Sequence, residues 1–214
     1  MKWMRTSRAL GTVALAALVS SACAPLVIGG AAATAMVAND RRTTGTVVED
    51  NAIEVKVGGE IDKALAGKGH VGVTSFNRRV LLTGEVPTEA LKAVSEEVAK
   101  RGENVLLVIN ELAVAGNAST TQRAADTLLS SRVKVAFISD EKVDSSAVKV
   151  VTDRGQVYLM GLLTSDEAAR ATEIARRVPG VQGVVRVVEL ISEQELLRLK
   201  PPAKPASAAK PSGN

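Results

Sequence analysis

The sequence predicts an α+β chain of two tandem modules, each running α-β-β-α-β, with a three-stranded mixed sheet covered on one face by two helices. Three observations lead there: an internal repeat, matching turn and cap signals in both copies, and a switch between helical and strand spacing of apolar residues. The repeat comes first. Val71-Gly72-Val73, Val80-Leu81-Leu82-Thr83-Gly84 and Thr88 return about 77 residues later as Val148-Lys149-Val150, Val157-Tyr158-Leu159-Met160-Gly161 and Ser165. Past Gly102 the offset becomes 78, so that Gly102 matches Gly180 and Glu111-Leu112 matches Glu189-Leu190. A self-similarity that slips by one residue marks two copies of one supersecondary unit.

Each element follows in order. An amphipathic helix opens each copy, Asp50–Ala66 in the first and Thr120–Ser139 in the second. Two short strands follow around a tight turn. Asp153-Arg154-Gly155 is a good hairpin signal, and Asn77-Arg78 is its weaker counterpart. A second helix begins at the capping box Thr164-x-x-Glu167, and at Pro87-Thr88-Glu89 in the first copy. Leu91, Val94 and Val98, like Ala171, Ile174 and Val178, are spaced for one buried face. Gly102 and Pro179-Gly180 stop these helices. A β-branched strand closes each copy, Val105–Ala113 and Val181–Leu190.

The ends of the chain are of another kind. Met1–Arg8 is basic, Ala9–Val19 is apolar and Ser20-Ser21-Ala22 are small, which is the pattern of an export signal over residues 1–22. The apolar run is shorter than the ~20 residues that span a bilayer. Cleavage before Ala24's neighbour Pro25 is the ordinary secretory alternative, but proline there generally blocks signal peptidase. Cleavage before Cys23 with lipidation of its thiol avoids Pro25 and accounts for the chain's single cysteine, although Ser20 stands where lipoprotein boxes usually carry Leu. Several acyl chains on one cysteine suffice for stable anchoring. Ala24, rather than Asp, after the cysteine favours the outer membrane by analogy with known sorting. Residues 23–46 then form a lipidated N-terminus and linker. Residues 192–214 form a short helix and a Pro/Ala/Lys tail whose composition buries no apolar area.

Charge excludes one class of partner. The formal charge is +4, but Lys2, Arg5 and Arg8 belong to the leader, and without them 24 basic residues face 23 acidic ones. Lys200, Lys204 and Lys210 lie in the tail, which leaves residues 24–199 slightly acidic. A body of that charge, whose aromatics are only Phe76, Phe137 and Tyr158, is not built for nucleic acid. Chemistry is equally sparse. His70 is the one histidine, so neither a His/Cys metal site nor a His-based triad can be assembled. Gly67-Lys68-Gly69 lacks the other residues of a phosphate loop. Glu96-Glu97 and Asp166-Glu167 diverge by about 100° on a helix and cannot share a substrate. Ser145 and Ser146 have no base. No enzyme activity, cofactor or small-molecule substrate is expected.

At this point a resemblance enters. Asp40 to Asp50 (DRRTTGTVVED) running into Ile53-Glu54-Val55-Lys56-Val57, with Ser145–Val150 and Val157–Leu162, resembles the dual-BON-domain outer-membrane lipoproteins of Gram-negative bacteria. The likeness covers about residues 1–191, with BON domains expected over 47–115 and 116–191. It implies a periplasm-facing envelope protein that binds anionic phospholipid and supports outer-membrane integrity.

The residues themselves suggest where. At 100° per residue the first helix keeps Ile53, Val57, Ile61, Ala64 and Leu65 within about 120°, an ordinary core stripe. The apolar residues of the helix at 120–139 spread over about 220°. Leu128 and Val135 lie beyond one edge, with Arg132 beside them and Arg123 and Lys134 farther round. Apolar residues flanked by cations suit a membrane interface, where arginine and lysine meet lipid phosphates. Packing against the other module is the alternative. On the strands, Leu81, Val151, Tyr158 and Met160 face away from the helices, toward either the other module or an outside partner. A second functional reading follows from that face and the basic Pro-rich tail: a non-catalytic scaffold that recruits another envelope protein or the cell wall.

Cys23→Ala is expected to release the protein from the membrane fraction or leave an uncut precursor. N-terminal sequencing of the mature protein checks the assignment, and a mature chain beginning at Pro25 would rule lipidation out.

Overall fold

A computed structural model describes residues 40–140 and 142–199, all within one compact unit. The export signal, Cys23 and the Pro/Ala/Lys tail lie outside the described residues. The first module comprises α1 (Thr44–Leu65), β1 (His70–Phe76), β2 (Arg79–Val86), α2 (Glu89–Lys100), β3 (Leu107–Asn110) and β4 (Ala113–Val114). The second comprises α3 (Thr120–Ile138), a 3-10 turn at Ser145–Ala147, β5 (Val148–Asp153), β6 (Gln156–Leu163), α4 (Ser165–Arg177) and β7 (Gly183–Leu190), followed by α5 (Glu193–Leu199). In each sheet the hairpin is antiparallel and the last strand joins the central one in parallel, so β2 and β6 are the middle strands of two mixed sheets.

Four details depart from the sequence reading. α1 begins at Thr44, two turns before Asp50, because Thr43 caps it through a side chain that accepts the Thr46 amide at 3.1 Å. The linker therefore ends by Thr43 and does not run to residue 46. The third strand of the first module is broken at Glu111-Leu112. Asn110 accepts the Leu112 amide through Oδ1 and donates through Nδ2 to the Lys92 carbonyl and Glu96, which draws the backbone toward α2. In α2 the fully buried residues are Ser95 and Ala99, with Leu91 and Val98 packed at the margin of the core, while Val94 is 40% exposed. Ser95 returns its hydroxyl to the Leu91 carbonyl at 2.9 Å and so can be buried. In α4 the fully buried positions are again small, Ala168, Ala171 and Ala175, with Ile174 and Val178 at the margin. Small residues let both helices lie close on their sheets.

Each hairpin is held by an aspartate from the module's first helix. The two turn residues have positive φ in both copies, Asn77 and Arg78 at 50° and 63°, Arg154 and Gly155 at 50° and 75°. That is the two-residue geometry matched to strand twist. Asn and Gly tolerate it, whereas arginine does not favour it. Asp50, 1% exposed, accepts the Asn77 and Arg78 amides at 2.8 and 2.7 Å, the Ser75 hydroxyl at 2.7 Å and Arg42 at 2.7 Å. Asp126 accepts the Arg154 and Gly155 amides, both at 2.9 Å. The weaker turn sequence thus folds as its counterpart does because a buried carboxylate captures its amides.

The helices cover one face of each sheet, over cores centred on Ile53, Val57, Val80 and Leu82 in the first module and on Val133, Phe137, Val157 and Leu159 in the second. The opposite faces meet. Phe76, Leu81 and Ile109 of the first sheet join Val151, Tyr158, Met160, Val185 and Val187 of the second, and Leu196 of α5 closes the cluster. Polar links tie its rim: Arg79 and Asn77 to Glu189, and Lys149 to Glu54 and the Ser75 carbonyl. Asp40–Arg42 form a further link. Arg41, buried, donates to the Leu162 carbonyl at 2.7 Å and to both oxygens of Glu167, while Arg42 stacks 4.0 Å over Phe76.

Asp126→Ala leaves two turn amides inside the fold without acceptors, and a buried unsatisfied donor costs about 1–3 kcal/mol. The substitution is expected to destabilise the chain by about 2–5 kcal/mol in urea unfolding. Asp50→Ala, which also strands Arg42, is expected to cost more. Wild-type stability in Asp126→Ala would show that the turn is held by something else.

Candidate membrane-facing site

α3 starts at Ser119, whose hydroxyl accepts the Gln122 amide at 3.2 Å. Its inner side is fixed by Leu129, Val133 and Phe137 in the core and by Asp126 on the turn. Those four contacts set the rotation of the helix and therefore decide what faces outward. Leu128 and Val135 are 60% and 61% exposed, and Ile138, which the sequence reading passed over, is 71% exposed. Val135 sits about 200° round the helix from Val133, so the ridge lies opposite the core and not at its edge. Leu128 and Val135 are two turns apart, and Ile138 extends the ridge to the end of the helix. Its i+3 spacing from Val135 was the signal that could have identified it.

Cations flank the ridge on both sides. Arg132 and Lys134 are exposed, and among the described residues neither takes part in an ion pair. At 100° per residue Arg132 lies about 60° to one side of Val135 and Lys134 about 100° to the other. Arg123 is half-buried, with its Nε enclosed and without a hydrogen-bond partner, so it stands apart from the exposed pair. The ridge takes no part in the contact between modules, which uses the sheets.

The residues of the other candidate face lie inside. Leu81 and Met160 are fully buried, Tyr158 is 4% exposed and Val151 packs against them, all in the cluster between the two sheets. Burial, reinforced by Glu111 and Asp153, pushes the Tyr158 phenol up to about 12. An outside protein could reach this face only by separating the modules.

The carboxylates weighed as chemistry have structural partners. Glu167 completes the capping box with Thr164 and receives Arg41. Glu96 bonds Lys100 and Asn110, which hold its carboxyl below the ordinary range. The Ser146 hydroxyl donates to Asp144 at 2.6 Å. Among the described residues no group of three or more acidic or histidine side chains could hold a metal, and no helix is long and apolar enough to cross a membrane.

Comparison with known proteins agrees with the duplicated architecture. The BON domain model matches twice, over residues 49–116 and 125–191. The chain is 38% identical over 171 residues to the outer membrane lipoprotein DolP of Haemophilus influenzae, covering 79% of this chain and 89% of that protein. It is 30% identical over 154 residues to a 21 kDa hemolysin of Actinobacillus pleuropneumoniae, covering 71% and 79%. It is 33% identical over 144 residues to the osmotically-inducible protein Y of Escherichia coli, covering 65% and 72%. Two matched domains in series, each with a hairpin gripped by an aspartate from its first helix, make this chain a member of the BON-domain family, a dual-BON protein of the DolP type.

Proposed function

We propose that this chain is an outer-membrane-associated envelope protein, lipid-anchored at Cys23 and facing the periplasm. It binds anionic phospholipid through α3 of its second BON domain, turns nothing over and supports outer-membrane integrity. Kinship with an outer membrane lipoprotein supports the location. The observation that carries the binding role is the exposed ridge of Leu128, Val135 and Ile138 between Arg132 and Lys134. A helix of this kind lies in the plane of the interface, with apolar side chains among the upper acyl chains and the cations at the phosphates.

With the sheet faces closed on each other, a scaffold reading needs a different surface. Val48 and Val55, two turns apart on α1, are 63% and 77% exposed, and they carry no comparable pair of flanking arginine and lysine. A protein partner seated there would leave lipid binding intact. Substitution in α3 therefore separates the two readings.

Leu128→Glu is expected to weaken binding to anionic vesicles by roughly tenfold or more, since full burial of a leucine is worth ~1.5–3 kcal/mol and interfacial burial approaches the lower end. The melting temperature is expected to hold, because the side chain already faces water. Arg132→Glu is expected to weaken binding too, and to reduce its salt dependence. Sedimentation with vesicles at several ionic strengths measures both. Undiminished binding by Leu128→Glu would move the site off α3.

A further inference from the structure

At one end the apolar contact between the modules gives way to carboxylates. Glu85 of β2 points toward the second module, is 1% exposed, and its Oε1 accepts no hydrogen bond. Its ion-pair partner among the described residues is Arg154, whose Nη1 stands 3.7 Å from that oxygen and whose side chain is 46% exposed. Asp153, at the end of β5, reaches across to accept the Gly84 amide at 3.1 Å. Asp126 of α3 completes the group from behind, bonded to the Arg154 and Gly155 amides. On the first module's side, His70 of β1 and Ala113 of β4 flank Glu85 in register, and Glu111 lies farther along the same face, toward Tyr158.

The Arg154 guanidinium, itself half-exposed, thus faces Glu85 and Asp153, while Asp126 is held by the backbone amides of the turn. Burial and like charge both disfavour full ionisation of such a group. Asp153 shows the effect: burial pushes its carboxyl above the ordinary value, Glu85 and Asp126 add to this, and the Gly84 amide and Arg154 oppose it. Parting the modules would return Asp153 to water and take Glu85 away from it, leaving only the like charge of Asp126, of its own module, nearby.

We propose that the contact between the two modules is an acid-tightened clasp, in which proton uptake by Asp153, beside the buried Glu85, strengthens docking of the sheets and proton loss loosens it. The sign follows from linkage. The docked state holds the proton more readily than the parted state, so docking strengthens as pH falls through the raised docked-state value and the gain is lost as pH rises through it. The ion pairs at the rim, Lys149 with Glu54, Arg79 with Glu189 and Arg41 with Glu167, work in the opposite direction in strong acid, where their carboxylates would be neutralised. The response therefore belongs to mildly acid conditions, in which ion-paired carboxylates in general keep their charge. The clasp is independent of lipid binding, although Asp126 places it beneath α3.

The chain has one tyrosine, Tyr158, buried between the sheets, so 3-fluorotyrosine incorporated into the full chain reports docking. The measurement is the urea concentration at which the buried fluorine resonance is lost, at about pH 5 and about pH 7.5, a window above ordinary carboxylate values. The midpoint is expected to be higher at the lower pH, with a larger ratio of buried to exposed signal at fixed urea. Glu85→Gln and, separately, Asp153→Asn are expected to flatten this difference, and Glu85→Gln to raise the midpoint at the higher pH. His70→Asn is expected to leave the difference in place. A midpoint that is unchanged or lower at the lower pH overturns the clasp. So does a pH response that survives both carboxylate substitutions or disappears in His70→Asn.

Discussion

A three-stranded sheet with both of its helices on one side leaves its other side to be closed by something else. Here the open side of one sheet is closed by the open side of the other. The central strands β2 and β6 consequently have neighbours in every direction, and every residue from Val80 to Val86 and from Val157 to Leu163 is buried. That requirement explains features that make little sense in a single module. Phe76 and Leu81 are apolar where a solvated sheet would be polar, α5 is present to cover the end of the cluster with Leu196, and Glu85 is trapped where the apolar match runs out. The rim of ion pairs sets register and orientation more than it adds stability, since partly exposed pairs contribute little each.

Much of this was legible in the residues. The repeat, both capping signals, the strand pairs and the outward-facing Leu81, Tyr158 and Met160 follow from periodicity, because alternation and helical spacing report directly on which side meets the core. What was not legible were interactions that join residues distant in sequence. Asp50 and Asp126 look like ordinary polar residues near the start of a helix, and nothing local says that they hold a turn 27 to 29 residues downstream. Asp40–Arg42 read as linker because the groups that order them, the Leu162 carbonyl and Glu167, lie more than a hundred residues away. Val94 was misplaced, and Ile138 missed, for a simpler reason. A spacing pattern gives the apolar arc of a helix but not its absolute rotation, which is set by the few residues that anchor it.

The two copies have diverged on the outside while keeping the inside. Aligning Asp50 with Asp126 pairs Ile53, Val57 and Ile61 with Leu129, Val133 and Phe137, all core residues. On the outer side the same alignment pairs Ala52, Gly59 and Asp62 with Leu128, Val135 and Ile138. One copy thus carries small and polar residues where the other carries a greasy ridge. Since the core positions tolerate little change and outward positions tolerate much, duplication allowed one helix to gain an exposed apolar ridge without endangering either fold.

The hook formed by Arg41 also has a mechanical meaning. Any tension applied to the chain upstream of Asp40 reaches Arg41 before it reaches α1, and Arg41 is fastened to the Leu162 carbonyl and Glu167 of the second module. Arg42, fastened to Asp50 of the first, shares the load. Such a pull would therefore act on both modules together, loading a cluster of charge-assisted bonds rather than peeling a helix from its end.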